Sequence, residues 1–247
     1  MTVRALWGAL PGRVRVMLGI AFALTAAALT VDLARLAGAG ADASLGAASE
    51  QLRFSRTIAC AAACWLGLDA PPSRVDAALL AAGCALCVPA DAFLILVGDL
   101  KTGIAIFLVV QSLFIARFAR LIVWRRLRER RHRRAVALFV VALVGGNALL
   151  SPKLGPVGLA LPVAVYSAAL LAACLGAWLL RTNPAWPARN AGLAFAGMAL
   201  FVLCDITVGL GAALAGTPAA AAIRAATGLF YTPSLALLGI SARRWSL

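Results

Sequence analysis

The chain predicts an all-α membrane protein: a polytopic bundle of eight transmembrane helices with both termini cytoplasmic. Three observations predict it. Hydrophobic residues fill 63% of the 247 positions, and the mean hydropathy of +0.95 is too high for a soluble domain. Eight apolar stretches each approach the roughly 20 residues that cross a hydrocarbon core. Basic residues collect on alternate connections, as they do where cytoplasmic loops carry the Lys/Arg excess.

The first span, about 16–36, follows a basic N-terminal stretch and is too long for the h-region of a signal peptide, so it is read as retained. A small-residue, weakly acidic loop (38–51) leads to a short second span, about 54–68. The Pro71-Pro72-Ser73 turn opens the third, about 75–97, and Gly98-Asp99-Leu100-Lys101 connects it tightly to the fourth, about 102–123. The stretch Trp124 to Arg134 is the most polar in the chain. A fifth span, about 135–150, stops at Ser151-Pro152, and a sixth, about 156–180, is expected to kink at Pro162. Thr182-Asn183-Pro184 ends it. The seventh covers about 188–214 and the eighth about 219–240, with Pro233 inside it. The loops leave no room for a second unit, so residues 1–247 read as one integral membrane domain.

With the N-terminus inside, Arg4, Arg13, Arg15, Arg74, the block from Arg117 to Arg134, Arg181, Arg189, Arg243 and Arg244 fall on the inner side. The outer segments hold Arg53, Lys101, Lys153 and Arg224, with Arg35 and Arg56 near the outer ends of their spans. The net charge of +14 thus sits at helix ends, which excludes a nucleic-acid face. All six cysteines lie in apolar surroundings, and Cys84-x-x-Cys87 has no second ligand pair. They are read as small residues packing between helices. The single histidine, His132, falls in the basic loop and is read as solvated. No metal centre and no cofactor is expected.

A carboxylate in a hydrocarbon core costs about 2.5–3.5 kcal/mol on insertion scales and therefore needs a reason. Asp32, Asp91 and Asp205 are such residues. Asp91 lies about 9 Å below the outer end of its span, and Asp205 at a similar depth. Gln111, Asn147, Tyr166, Tyr231 and Arg56 fall in the same outer half, whereas the inner half reads as nearly all Ala, Leu, Val and Gly. Asp32 with Arg35 has the spacing of a local ion pair, and the two tyrosines could be interfacial anchors. Asp91 and Asp205 have no basic residue within one turn on their own helices, so each must find partners across the bundle or face a wet cavity. That makes them the candidate catalytic pair, with Arg56 the cation best placed to neutralise one of them.

The segments carrying these residues resemble the YhhN-type lysoplasmalogenase family of eight-helix membrane proteins. The resemblance lies in Pro89-Ala90-Asp91-Ala92-Phe93-Leu94, in Gly103 to Gln111, in Val163-Ala164-Val165-Tyr166, in Gly197 to Leu210 around Asp205, and in Phe230-Tyr231-Thr232-Pro233-Ser234-Leu235. Family members often read Gly-Asp at Ala90-Asp91, His at Gln111, Lys-Pro at Arg56-Thr57 and Gln near Leu235. Both aspartates match. The resemblance implies hydrolysis of the vinyl ether of a lysoplasmalogen, releasing a fatty aldehyde. Asp91 and Asp205 would be catalytic, while Arg56, Gln111, Asn147, Tyr166 and Tyr231 would bind or orient substrate. The partners expected are a lysophospholipid and the surrounding membrane lipids, with no nucleic acid, in a bacterial inner (plasma) membrane. A proton-coupled transporter and a non-catalytic polytopic protein are the competing readings.

Overall fold

A computed structural model describes residues 3–38, 43–68, 73–120, 122, 128–243 and 245. The described residues are helical throughout, apart from short connections. A short α1 (Val3–Gly8) precedes α2 (Gly12–Leu36), α3 (Ala43–Leu66) and α4 (Arg74–Asp91). A π-helical segment, Ala92–Val97, continues α4. Then come α5 (Leu100–Ala119), α6 (Arg130–Leu154), α7 (Ala160–Leu180), α8 (Ala188–Ala213) and α9 (Pro218–Ile240). The Pro71-Pro72 turn, Trp124 to Leu127 of the basic stretch, and Arg244 lie outside the described residues.

Among the described residues, seven helices are long and apolar enough to cross a membrane: α2, α4 with its π segment, and α5 to α9. By that length and composition the molecule is an integral membrane protein. The remaining long helix, α3, corrects the expected 38–51 loop and short second span. It starts at Ala43 and runs for 24 residues. Its first fourteen residues carry Glu50, Arg53 and Arg56, so they do not read as an apolar run. α6 likewise begins earlier, at Arg130, and passes through Pro152 to Leu154. Pro162 makes no mid-helix kink. α7 starts at Ala160, so the proline falls in the first turn, where a missing N–H breaks no helical hydrogen bond.

Helices α3, α4, α5, α7, α8 and α9 pack in a ring, with α2 outside against α3 and α9 and α6 outside against α7 and α8. Small residues set the closest approaches, as expected where lipid gives no hydrophobic drive to association. A Cβ on Gly197 would stand 2.7 Å from Leu238 Cγ and 3.1 Å from the Ser234 carbonyl, so only glycine lets α8 and α9 meet there. The Ser234 hydroxyl donates to the Gly197 carbonyl at 2.8 Å across the same contact. Gly83 admits the Phe114 ring in the same way between α4 and α5. At the α5 N-terminus, Asp99 accepts from the Thr102 hydroxyl and backbone N–H, which holds its carboxyl below the ordinary value.

All six cysteines are buried and unpaired. His132 corrects the expectation of a solvated loop residue. It sits in the first turn of α6, fully buried, edge-on to Trp178 at 5.2 Å and with Nδ1 3.2 Å from the Glu129 carboxylate. The expected apolar inner half also needs correction. Arg117 and Asp76, only 1% and 3% exposed at their side chains, form a two-pronged pair there. Nε and Nη2 donate to the two carboxylate oxygens at 2.8 and 2.9 Å.

Candidate active site

The site begins with an irregularity in α4. Pro89 removes a backbone donor inside the helix, and two residues later the chain widens into the π segment that starts just after Asp91. Such wide turns are rare and often mark functional positions, because the inserted residue re-aims the side chains around it. The segment closes at Gly98 with φ 75°, a left-handed cap that glycine adopts freely. Gly103 of α5 is needed beside it, since a Cβ there would lie 2.5 Å from Leu94 Cγ.

A cavity of about 510 Å³ opens at this end of the bundle, among α3, the π segment, α5, α6, α7, α8 and α9. Asp91 and Asp205 both line it, together with Arg56, Asn147, Tyr166 and Tyr231. The rest of the wall is mainly aliphatic, including Leu143, Leu150 and Leu154 of α6. Its size falls within the roughly 300–1,000 Å³ of small-molecule sites, and a largely apolar wall with a few convergent polar groups is their usual make-up.

Each aspartate is held by a hydroxyl from another helix. The Thr57 hydroxyl of α3 donates to Asp91 Oδ2 at 2.6 Å. The Tyr166 hydroxyl of α7 donates to Asp205 Oδ2. Behind Tyr166, Gln111 Nε2 reaches the phenol oxygen at 3.5 Å, while Gln111 Oε1 is buried with no hydrogen-bond partner among the described residues. Neither aspartate forms an ion pair among the described residues. Two carboxyl groups thus border one apolar cavity with neutral donors alone.

Arg56 stands close by without closing on either of them. Its guanidinium carbon lies 5.3 Å above the Tyr231 ring, a cation–π contact, and its Nε makes no hydrogen bond. Gly228 makes this placement possible, because a Cβ there would be 2.2 Å from Arg56 Nη1. The Tyr231 hydroxyl is buried near Asp91 but reaches no described residue at full hydrogen-bond geometry. Rings join edge to face in a row, Tyr231 to Phe201 to Phe107 to Tyr166, with centroids 5.8, 6.0 and 6.4 Å apart. Both tyrosines are therefore inside the bundle rather than anchors at a lipid interface.

Two expected placements differ. Asn147 lines the cavity, but its side chain donates to the Leu143 carbonyl of its own helix at 2.8 Å. Asp32 does not pair with Arg35. It accepts from Ser49 at 2.7 Å and from Arg53 Nη2, both on α3. The N-terminal half of α3, where the sequence predicts a loop, brings those partners to α2. Thr57, inside the expected second span, and Arg53, just before it, gain their places at Asp91 and on the cavity wall only from the packing of α3 against its neighbours.

Residues 51–234, from within α3 to within α9, match the YhhN family model and include Thr57, Asp91, Gln111, Tyr166, Asp205 and Tyr231. No curated protein and no solved structure matches the chain. The chain belongs to the YhhN family.

Proposed function

We propose that the protein hydrolyses the vinyl ether bond of a lysophospholipid, a lysoplasmalogenase-type reaction, with Asp91 and Asp205 as the acid–base pair. One observation carries this reading: two carboxyls, Asp91 buried and Asp205 half-buried, border the same largely apolar cavity without an ion-pair partner among the described residues. Family membership supports it. The bundle is read as eight spans, with α3 as the eighth, and with both termini cytoplasmic in a bacterial inner membrane. The cavity then lies in the outer half, open to a single-chain lipid lying alongside α6.

Hydrolysis starts with a proton. One carboxyl protonates the alkene carbon remote from the ether oxygen, forming a C–H bond and an oxocarbenium ion at the neighbouring carbon. The ionised carboxylate stabilises that cation and takes a proton from water as the water oxygen bonds to it. The hemiacetal then collapses: the carboxylate that gave the first proton takes the hydroxyl proton as the C=O bond forms, the bond to the glycerol oxygen breaks, and the carboxyl that deprotonated water gives its proton to that oxygen. Aldehyde and alcohol leave, and the two carboxyls return to one protonated and one ionised. The Tyr166 and Thr57 hydroxyls hold the two carboxyls in place, and Gln111 backs Tyr166. No metal or cofactor enters the scheme.

The test is purified protein in detergent, given a lysoplasmalogen and assayed for free fatty aldehyde. Aldehyde release is expected from the wild type and not from Asp91→Asn or Asp205→Asn. A folded wild type inert towards every vinyl ether lipid would overturn the reading.

A further inference from the structure

A second cavity, about 370 Å³, adjoins the first at the same end of the bundle, between α2, α3 and α9. Its character is the opposite of the first. Asp32, Arg35, Ser49, Glu50, Arg53 and Arg224 all border it. Arg53 and Arg224 are on the wall of both cavities. The apolar chamber and the charged one therefore meet at two guanidinium groups.

The geometry points to a headgroup subsite in which Arg53 and Arg224 bind the phosphate of a lysophospholipid and Glu50 faces its amine. This rests on the lipid-hydrolase reading above for which end of the lipid lies where. Arg224 makes no hydrogen bond or ion pair among the described residues, and its Cγ lies 3.3 Å from where a Cβ on Gly211 would stand, so its stem crosses α8 at a glycine. Arg53 commits Nη2 to Asp32, and its other donors have no partner among the described residues. Guanidinium forks suit phosphate oxygens, and two from different helices converge here. Asp32 is already taken by Ser49 and Arg53, which leaves the exposed Glu50 as the free acid of this chamber.

The spacing fits a glycerol backbone. Arg53 precedes Thr57, the hydroxyl that touches Asp91, by one helical turn. That is about 6 Å along the axis of α3. Three glycerol carbons separate an ether oxygen at the aspartates from a phosphate at the arginines. The hydrocarbon chain then runs into the aliphatic wall of the larger cavity, and the head lies in the charged one.

Binding, not turnover, tests this. The probes are an alkyl-ether lysophosphatidylethanolamine, which has no vinyl bond to cleave, the matching alkyl-ether lysophosphatidate without the amine, and the alkylglycerol without phosphate. Inorganic phosphate is the competitor, and all are measured on the purified protein in detergent. The phosphoethanolamine lipid is expected to bind about tenfold or more tighter than the alkylglycerol, as charge-assisted pairs to phosphate predict. Arg224→Gln should reduce that ratio to about threefold or less while alkylglycerol binding stays as in the wild type. Glu50→Gln should erase any preference for the amine and leave the phosphate preference in place. Arg53→Gln also releases Asp32, so Arg224→Gln is the cleaner variant. Equal binding of all three lipids would overturn the subsite. Inorganic phosphate that binds alone and displaces the lipid at millimolar concentration would show a free-phosphate site and overturn the headgroup assignment. Head-dependent binding by a protein that releases no aldehyde would sink the proposed chemistry and leave the subsite standing.

Discussion

Asp76 and Asp91 sit at opposite ends of one helix, both buried, and the bundle treats them in opposite ways. At Asp76, Arg117 takes both carboxylate oxygens in an enclosed pair, with Phe118 stacked beneath the guanidinium at 5.3 Å. At Asp91, and at Asp205 across the cavity, only neutral hydroxyls approach the carboxyl, and the nearby Arg56 lies over a tyrosine ring instead. The first arrangement neutralises a charge and fills space. The second leaves two acids facing a chamber large enough for a lipid. A buried carboxylate is therefore not by itself a sign of chemistry; what closes around it decides.

The largest expected effect separates the two ends by activity. Asp91→Asn and Asp205→Asn should each lower aldehyde release by about 10²–10⁴-fold, the usual loss when a proton-transferring group is removed. Asn keeps the volume and accepts the same hydroxyl, so thermal stability in detergent should stay near wild type. An Asn variant that retains its rate would remove that aspartate from the mechanism.

Asp76 should behave the other way round. Breaking a buried pair by removing one partner strands the other charge and costs about 3–5 kcal/mol in soluble proteins; interhelical polar contacts in membranes are often weaker. Asp76→Asn and Arg117→Met should each lower the melting temperature, and the apolar double variant Asp76→Leu/Arg117→Met should recover much of it. Aldehyde release per folded molecule should change little. A stable Asp76→Asn that has lost its activity would break the comparison and extend the proton path through the bundle.

Much of this was readable from the chain, and the failures share one cause. Apolar runs locate seven of the long helices, and counting depth along them puts Asp91, Asp205, Gln111, Tyr166 and Tyr231 in the same half of the bundle, where they line or back one cavity. Partners on other helices were not legible. Thr57 is one position from Arg56 in sequence, yet only the packing of α3 on α4 shows that it reaches Asp91. Arg117 reads as the start of the basic block, yet it falls inside the fourth span, about 102–123, and that position is the signal that it must be paired. The π turn after Asp91 had a weaker sign in Pro89, and nothing local distinguishes it from an ordinary proline kink.

Tyr166→Phe sharpens the contrast at an intermediate scale. It deletes the hydroxyl that Asp205 accepts from and leaves the ring contact with Phe107 in place. Hydrogen bonds to charged groups are worth about 1.5–3 kcal/mol, or roughly 10–150-fold in rate if the bond persists into the transition state. The fall should appear in kcat more than in KM, because the group orients an acid and does not hold the lipid. A change confined to KM would make Tyr166 a substrate contact instead.

Gln111 should matter least, and the reason is geometric. Its amide reaches Tyr166 at 3.5 Å, the long end of hydrogen bonding, and stands one residue removed from the carboxyl. It is fully buried, and its Oε1 has no partner among the described residues. Gln111→His, which installs the side chain common in the family, keeps a donor towards Tyr166 and adds a group that titrates near neutral pH. If Gln111 only supports the phenol, the rate should shift by less than about tenfold, under 1.4 kcal/mol, with its pH profile unchanged. A pH profile that gains a new limb near the ordinary histidine range would show that this position joins the proton transfer. The chain would then have been running its chemistry with one titrating group fewer than its relatives. Gln111→Leu separates the two cases further, since a supporting donor can be lost at small cost whereas a proton carrier cannot.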